Sequence, residues 1–166
     1  MYQHKAAKTY VLLFVLSWFF SCSRSPLTEH VPKNPEEKKI IDLLIRYQDA
    51  KINCNLERFM ACLHEQGLYQ LAGGSLISKN ELKGRLPLFW AGLQSGSPAI
   101  YPINREMITG DYFRTGRFYD SQIVINGDTA HATVTFVKWG WHLDHYITMR
   151  REKDGWLILR LDWETN

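Results

Sequence analysis

The sequence predicts an α+β domain over residues 36–166, in which three helices pack on a curved antiparallel sheet that closes with a four-strand meander. Three observations carry this expectation. Up to Gln94, apolar residues recur at helical spacing between residues suited to capping helices. Two hairpin signals, Asn126–Gly127–Asp128 and Asp154–Gly155, divide the last third of the chain. The runs around them alternate apolar and polar side chains, the period of a strand with one covered face. A chain of 166 residues with 45% apolar residues can bury one core.

The chain opens on a segment that does not belong to this domain. Lys5 and Lys8, with no acid nearby, precede the apolar run Tyr10–Phe20, in which Ser17 is the one polar residue. Eleven residues fall short of the roughly 20 that cross a bilayer, and they suit the core of a secretory signal peptide. The run ends at Ser21–Cys22, which resembles a bacterial lipoprotein signal, with Phe19 and Phe20 where that signal usually has Leu and a small residue. The resemblance implies residues 1–21 as signal peptide and Cys22 as a lipidated N-terminus. Residues 22–35, with Pro26, Pro32 and Pro35, then form a flexible tether. Two alternatives stay open, cleavage after Ser23 to give a soluble secreted protein, and an uncleaved anchor. Ser23 is not the Asp that commonly retains lipoproteins at the inner membrane, so the outer membrane is favoured. The expected address is the bacterial cell envelope.

Charge excludes one class of partner. Lys5 and Lys8 supply two of the three net positive charges, so the body carries +1 and no basic face for nucleic acid. Cys54 and Cys62 would lie roughly 12 Å apart on one helix, too far to bridge, and read as buried thiols. No Cys/His spacing suggests a metal, and no cofactor is expected.

Within the body, Ile40, Ile41, Leu44, Tyr47 and Lys51 share one face of a first helix that carries acids in its opening turn. Asn55 offers an N-cap for a second helix through Leu56–Gln66, with His64 and Glu65 closing it. Gly67–Ser78 reads as a short strand pair around Gly73–Gly74. Ser78 and Glu81 form a capping box for a third helix, with Pro87 as an expected kink. Residues 94–117 are irregular.

In the meander, Ala130, Ala132, Val134 and Phe136 share a face, and His131, Thr133 and Thr135 share the other. An even loop beside Trp141 puts Ile147 and Met149 on the first face, with Lys138 and His145 near its mouth. A one-residue register choice decides whether Arg160 and Asp162 or Leu159 and Leu161 face inward, and the leucines are expected inside.

This order of elements resembles the nuclear transport factor 2-like superfamily, which includes SnoaL-like cyclases and ketosteroid isomerase. The resemblance is carried by Leu43–Leu63, Asn126–Phe136 and Met149–Ile158. It implies a cone-shaped roll, with the sheet wrapped around a long helix and a pocket at the open end. Carrying over the isomerase positions retains its oxyanion-binding tyrosine at Tyr47. The catalytic base falls on Leu71 and the protonated acid on Ile147, neither of which handles protons.

The expected function is therefore non-catalytic, a lipid-anchored envelope protein whose conical domain binds a small apolar or anionic molecule or a partner. Candidate ligand contacts are Tyr47, Trp90, Tyr112, Phe136, Lys138 and His145. Tyr112 stands with Arg114 and Arg117 in a stretch suited to anionic or aromatic ligands. The alternative is a small cofactor-independent isomerase, hydratase or cyclase using Asp111, His145 or Asp162, with Tyr47 as donor. A further alternative is a homodimer paired through the Thr133 and Thr135 face. Trp139, Trp141, His142, Asp144 and His145 cluster at the second hairpin, where a tip of solvated groups outweighs a metal site.

Overall fold

The structure is a computed structural model that describes residues 24–70, 75–94, 116–138 and 141–164. Helix α1 spans Pro35–Ile52. Its start follows from Asn34, whose Oδ1 accepts the Glu37 N–H at 2.8 Å, and from Pro35, whose fixed φ suits the first helical position. The buried face runs from Glu37 and Ile40 through Leu44 and Tyr47 to Lys51.

Helix α2, Leu56–Ala61, begins where Asn55 Oδ1 accepts the Arg58 N–H at 3.0 Å. It is shorter than the sequence suggests. The chain turns at Cys62 into strand β1, Leu63–Gln70, because Leu63 pairs with Ile158 of the last strand. That pairing displaces another helical turn, so His64 lies on a strand, its Nε2 3.0 Å from Glu152 Oε1. Strand β2, Leu76–Ser78, pairs antiparallel with β1, as expected of this segment. Helix α3 covers Lys79–Gln94, with the Glu81 N–H reaching Ser78 Oγ at 3.3 Å and Pro87 inside it.

The meander consists of β3 (Arg117–Asn126), β4 (Thr129–Lys138), β5 (Trp141–Glu152) and β6 (Gly155–Glu164). Both expected turns hold residues at positive φ, Gly127 at 60° and Gly155 at 130°, where glycine carries little penalty. The six strands run in the order β2-β1-β6-β5-β4-β3. Neighbours are antiparallel except β1 and β6, which run parallel, so the sheet is mixed.

The inner face buries Phe118, Ala130, Ala132, Val134, Phe136, Leu143, His145, Ile147 and Met149 against the helices. On β6, Trp156 and Ile158 face inward, and so does Leu161. Residues of both parities share that face because the β5–β6 register shifts between Thr148 and Met149. Leu159, expected beside Leu161, falls in this shift and stays half-buried. Arg160 and Asp162 face outward and pair with each other at 2.8 Å.

Residues 24–34 also differ from expectation. They are packed on the domain rather than extended as a free tether. Leu27, in a short 3-10 turn over Leu27–Glu29, is only 1% exposed. Ser25 exchanges hydrogen bonds with Asp120, through the Asp120 N–H to Ser25 O at 3.0 Å and the Ser25 N–H to Asp120 Oδ1 at 3.1 Å. Asp120 takes φ 49° in a bulge of β3, which bends this edge strand toward the segment. Among the described residues no helix is long and apolar enough to cross a membrane. Cys22 and the leader lie outside the described residues.

Candidate ligand-binding site

Four residues singled out from the sequence meet in one cluster between the helices and the inner sheet face. Tyr47 comes from α1, Trp90 from α3, Phe136 from β4 and His145 from β5, and all four are buried. Phe59 of α2 and Phe118 of β3 complete it. The Tyr47 ring lies 4.8 Å from Phe59 and 6.2 Å from Phe118, nearly parallel to the latter, and Phe59 meets Trp90 edge-on at 5.7 Å. His145 stacks on Phe136 at 5.5 Å and meets Phe118 edge-on at 5.4 Å. Aromatic pairs at these separations add about 0.5–1.5 kcal/mol beyond area burial, so the walls are held in place. Gln48 ties α1 to the sheet by accepting the Phe118 N–H at 2.6 Å.

Lys51 is the unforeseen member. It lies one helical turn beyond Tyr47 and is 8% exposed, and its Nζ sits 4.2 Å from the Phe136 ring centroid and 5.0 Å from Phe118. Among the described residues no carboxylate pairs with it. Glu37, the buried carboxylate among them, lies fourteen positions earlier on α1, roughly 21 Å along the axis. Glu37 is engaged there by the Lys33 N–H at 2.6 Å and by His30 at 3.1 Å. The signal for Lys51 was present in the sequence, a lysine on the apolar stripe of α1 four residues after Tyr47. A lysine in a helix's last turn is also what the helix dipole favours, and that hid it.

Burial sets the protonation of this cluster. It pushes the Lys51 amine down to about 7. His145 falls to about 3, first through burial and then through the nearby Lys51, so its imidazole is neutral at ordinary pH. Tyr47 is raised, by burial and then by Cys62 and Tyr69, and keeps its proton. The arrangement offers a neutral donor, a neutral imidazole and an amine balanced between its two forms, within aromatic walls.

The remaining candidates fall elsewhere. Asp162, on the outer face with Arg160, is removed from any acid–base role inside. Asp111 and Tyr112 lie outside the described residues, as does the side chain of Lys138. His142 and Asp144 are engaged on the outer face, His142 Nδ1 with Arg24 at 2.9 Å and Asp144 with the Thr135 hydroxyl at 2.9 Å. Ile147 is buried opposite Ala132 and Leu161, so the position of the isomerase's acid is apolar wall.

The sequence matches no protein-family model and no curated protein. Solved structures share its fold. A nuclear transport factor 2-like protein from Cytophaga hutchinsonii aligns over 80% of this chain and 100% of its own, with 14% identity and a TM-score of 0.57. One of unknown function from Pseudomonas putida aligns over 78% and 85%, with 12% identity and a TM-score of 0.58. A protein of unknown function with a cystatin-like fold, from Nostoc punctiforme, aligns over 82% and 96%, with 17% identity and a TM-score of 0.55. Identities this low establish the fold and leave the chemistry to the residues in the cluster.

Proposed function

We propose that this nuclear transport factor 2-like fold is a non-catalytic binding domain of the bacterial cell envelope. Acyl chains on Cys22 hold it to a membrane, the outer one favoured. Between α1 and the sheet it takes a small molecule with an apolar or aromatic body and one polar head. The observation that carries the binding role is Lys51. A buried amine without a carboxylate partner among the described residues costs stability, and such groups concentrate where a ligand or a reaction uses them. The aromatic walls supply the site for the body, and Lys51 with His145 and Tyr47 meets the head. Support for the anchor is the ending of the apolar run at Cys22, and multiple acyl chains hold a small domain at about 0.8 kcal/mol per buried methylene.

Two measurements test the two halves. In a bacterial host, labelled palmitate is expected to enter the chain and to be lost in Cys22→Ala; equal labelling of the variant overturns the anchor. Titration with 2-naphthoate, an aromatic ring with one anionic head, is expected to saturate and to weaken about tenfold or more in Trp90→Ala, a loss of at least about 1.4 kcal/mol. Absence of saturable binding by this and by the neutral 2-naphthaldehyde overturns the binding reading.

A further inference from the structure

We propose that the Lys51 amine captures the carbonyl carbon of a small aromatic or apolar aldehyde or ketone as an imine. This rests on the binding reading above and names the head group that the site accepts.

The geometry supplies each requirement. The amine stands in the last turn of α1, one turn beyond Tyr47, its Nζ over two aromatic rings that suit the flat apolar substituent of a conjugated carbonyl. Within the described residues no carboxylate holds it as an ammonium ion, and burial brings it to about 7, so a far larger share is free base at neutral pH than in an exposed lysine. An ordinary lysine near 10.4 leaves only about one molecule in 2,500 free at that pH. Buried lysines of this kind are the ones that serve as carbonyl nucleophiles.

The step balances without any co-reactant. The Nζ lone pair attacks the carbonyl carbon, and the carbonyl π pair moves to oxygen, which takes a proton to give a carbinolamine. Nitrogen then forms the C=N bond, its two protons leave, and the former carbonyl oxygen departs as water. Among the described residues, the titratable group coupled to this amine is His145, from β5, while the Tyr47 hydroxyl one helical turn earlier lies toward Cys62 and Tyr69. The two protons that nitrogen loses are the two that the departing oxygen gains as water, so the exchange needs no separate base, and the neutral His145 ring adds no second positive charge beside the amine. No hydride or electron is exchanged, so the adduct is reversible and suits capture and release.

The test uses the full chain purified in mild detergent. It is incubated at neutral pH with 2-naphthaldehyde and cyanoborohydride, which reduces an imine to a stable secondary amine, and then mapped by peptide mass. Lys51 is expected to label about tenfold or more faster than the exposed Lys38, Lys39 and Lys153, and excess 2-naphthoate to suppress that label alone. Lys51→Arg, which keeps the charge but forms no adduct, should lose the fast site and retain the slow ones. The comparison of sites within the unaltered chain decides the matter even if the variant folds poorly. Uniform slow labelling, with Lys51 unmodified, overturns the proposal. If 2-naphthoate still binds saturably in that case, the imine fails and the binding site stands; if it does not, both fall.

Discussion

At the scale of single residues, Lys51 shows a functional group set against stability, and the sign of its effect is fixed. Its folded value of about 7 lies below the roughly 10.4 of an unfolded lysine. Between those values the unfolded chain holds a proton that the folded chain has shed, so stability rises with pH across this window. Below about 7 both states are protonated and the full cost of burying the charge is present. The slope is at most on the order of 1.4 kcal/mol per pH unit. Lys51→Met, which keeps the stem's volume and removes the charge, is therefore expected to be more stable than the natural chain at neutral pH. It should also lose the rise toward pH ~10; urea denaturation of both proteins across that range checks it. A destabilised Lys51→Met would mean that the amine has a structural partner. The sequence exposed Tyr47, Trp90, Phe136 and His145 because aromatics on a covered face declare themselves. It placed Lys51 on the same stripe but left its burial open, because a lysine in a last helical turn also suits the helix dipole in solvent.

Secondary-structure elements were legible where the signal is local and were lost where a distant strand decides. The cap at Asn55, the turns at Gly127 and Gly155, and the faces of β4 and β5 all follow from residues within a few positions. The early end of α2 does not, because it depends on β6, more than ninety residues away. The β1–β6 pair also carries an irregularity. Its parallel register shifts between Leu63 and Leu68, which interrupts the regular exchange of backbone hydrogen bonds. The Tyr69 hydroxyl lies 2.8 Å from both the His64 and the Ile158 carbonyl oxygens and supplies a donor there. Gly67 leaves the room for it, since a side chain at that position would fall on the Tyr69 hydroxyl. Tyr69→Phe is expected to cost about 1–3 kcal/mol by stranding those carbonyls. Gly67→Ala should be destabilised as well, by driving the hydroxyl out. Chemical denaturation measures both, and a neutral Tyr69→Phe would show that solvent reaches the shift.

On the scale of the whole molecule, the docked N-terminal segment changes what an anchor at Cys22 would do. Leu27 is buried in the core cluster, and Ser25, Pro26 and His30 are tied to the β3 bulge at Asp120, Tyr119 and Ser121. Leu27→Ala is accordingly expected to cost about 2–4 kcal/mol of domain stability, as truncation of a buried leucine does and truncation in a free tether does not. The sequence suggested a tether because three prolines and few apolar residues make a weak helix or strand, while a single leucine seated in a distant core leaves no periodic trace. The consequence is reach. From Cys22 to Arg24 the chain spans two residues, at most about 7 Å, so acyl chains on Cys22 would hold the domain directly against the bilayer. The surface held there is the one around Arg24, with Asp120 at 3.8 Å and His142 at 2.9 Å. The Gly127–Asp128 turn, at the far end of β3, stands roughly 20–30 Å further away at 3.3 Å per strand residue. In the full chain carrying Cys54→Gly, a change suited to that residue's φ of 50°, a fluorophore placed through His142→Cys is expected to be strongly quenched by a headgroup-level quencher in vesicles. The same fluorophore placed through Asn126→Cys should be quenched weakly. Equal quenching at the two ends would mean that the segment leaves its seat when the protein is bound to lipid, and the short reach with it.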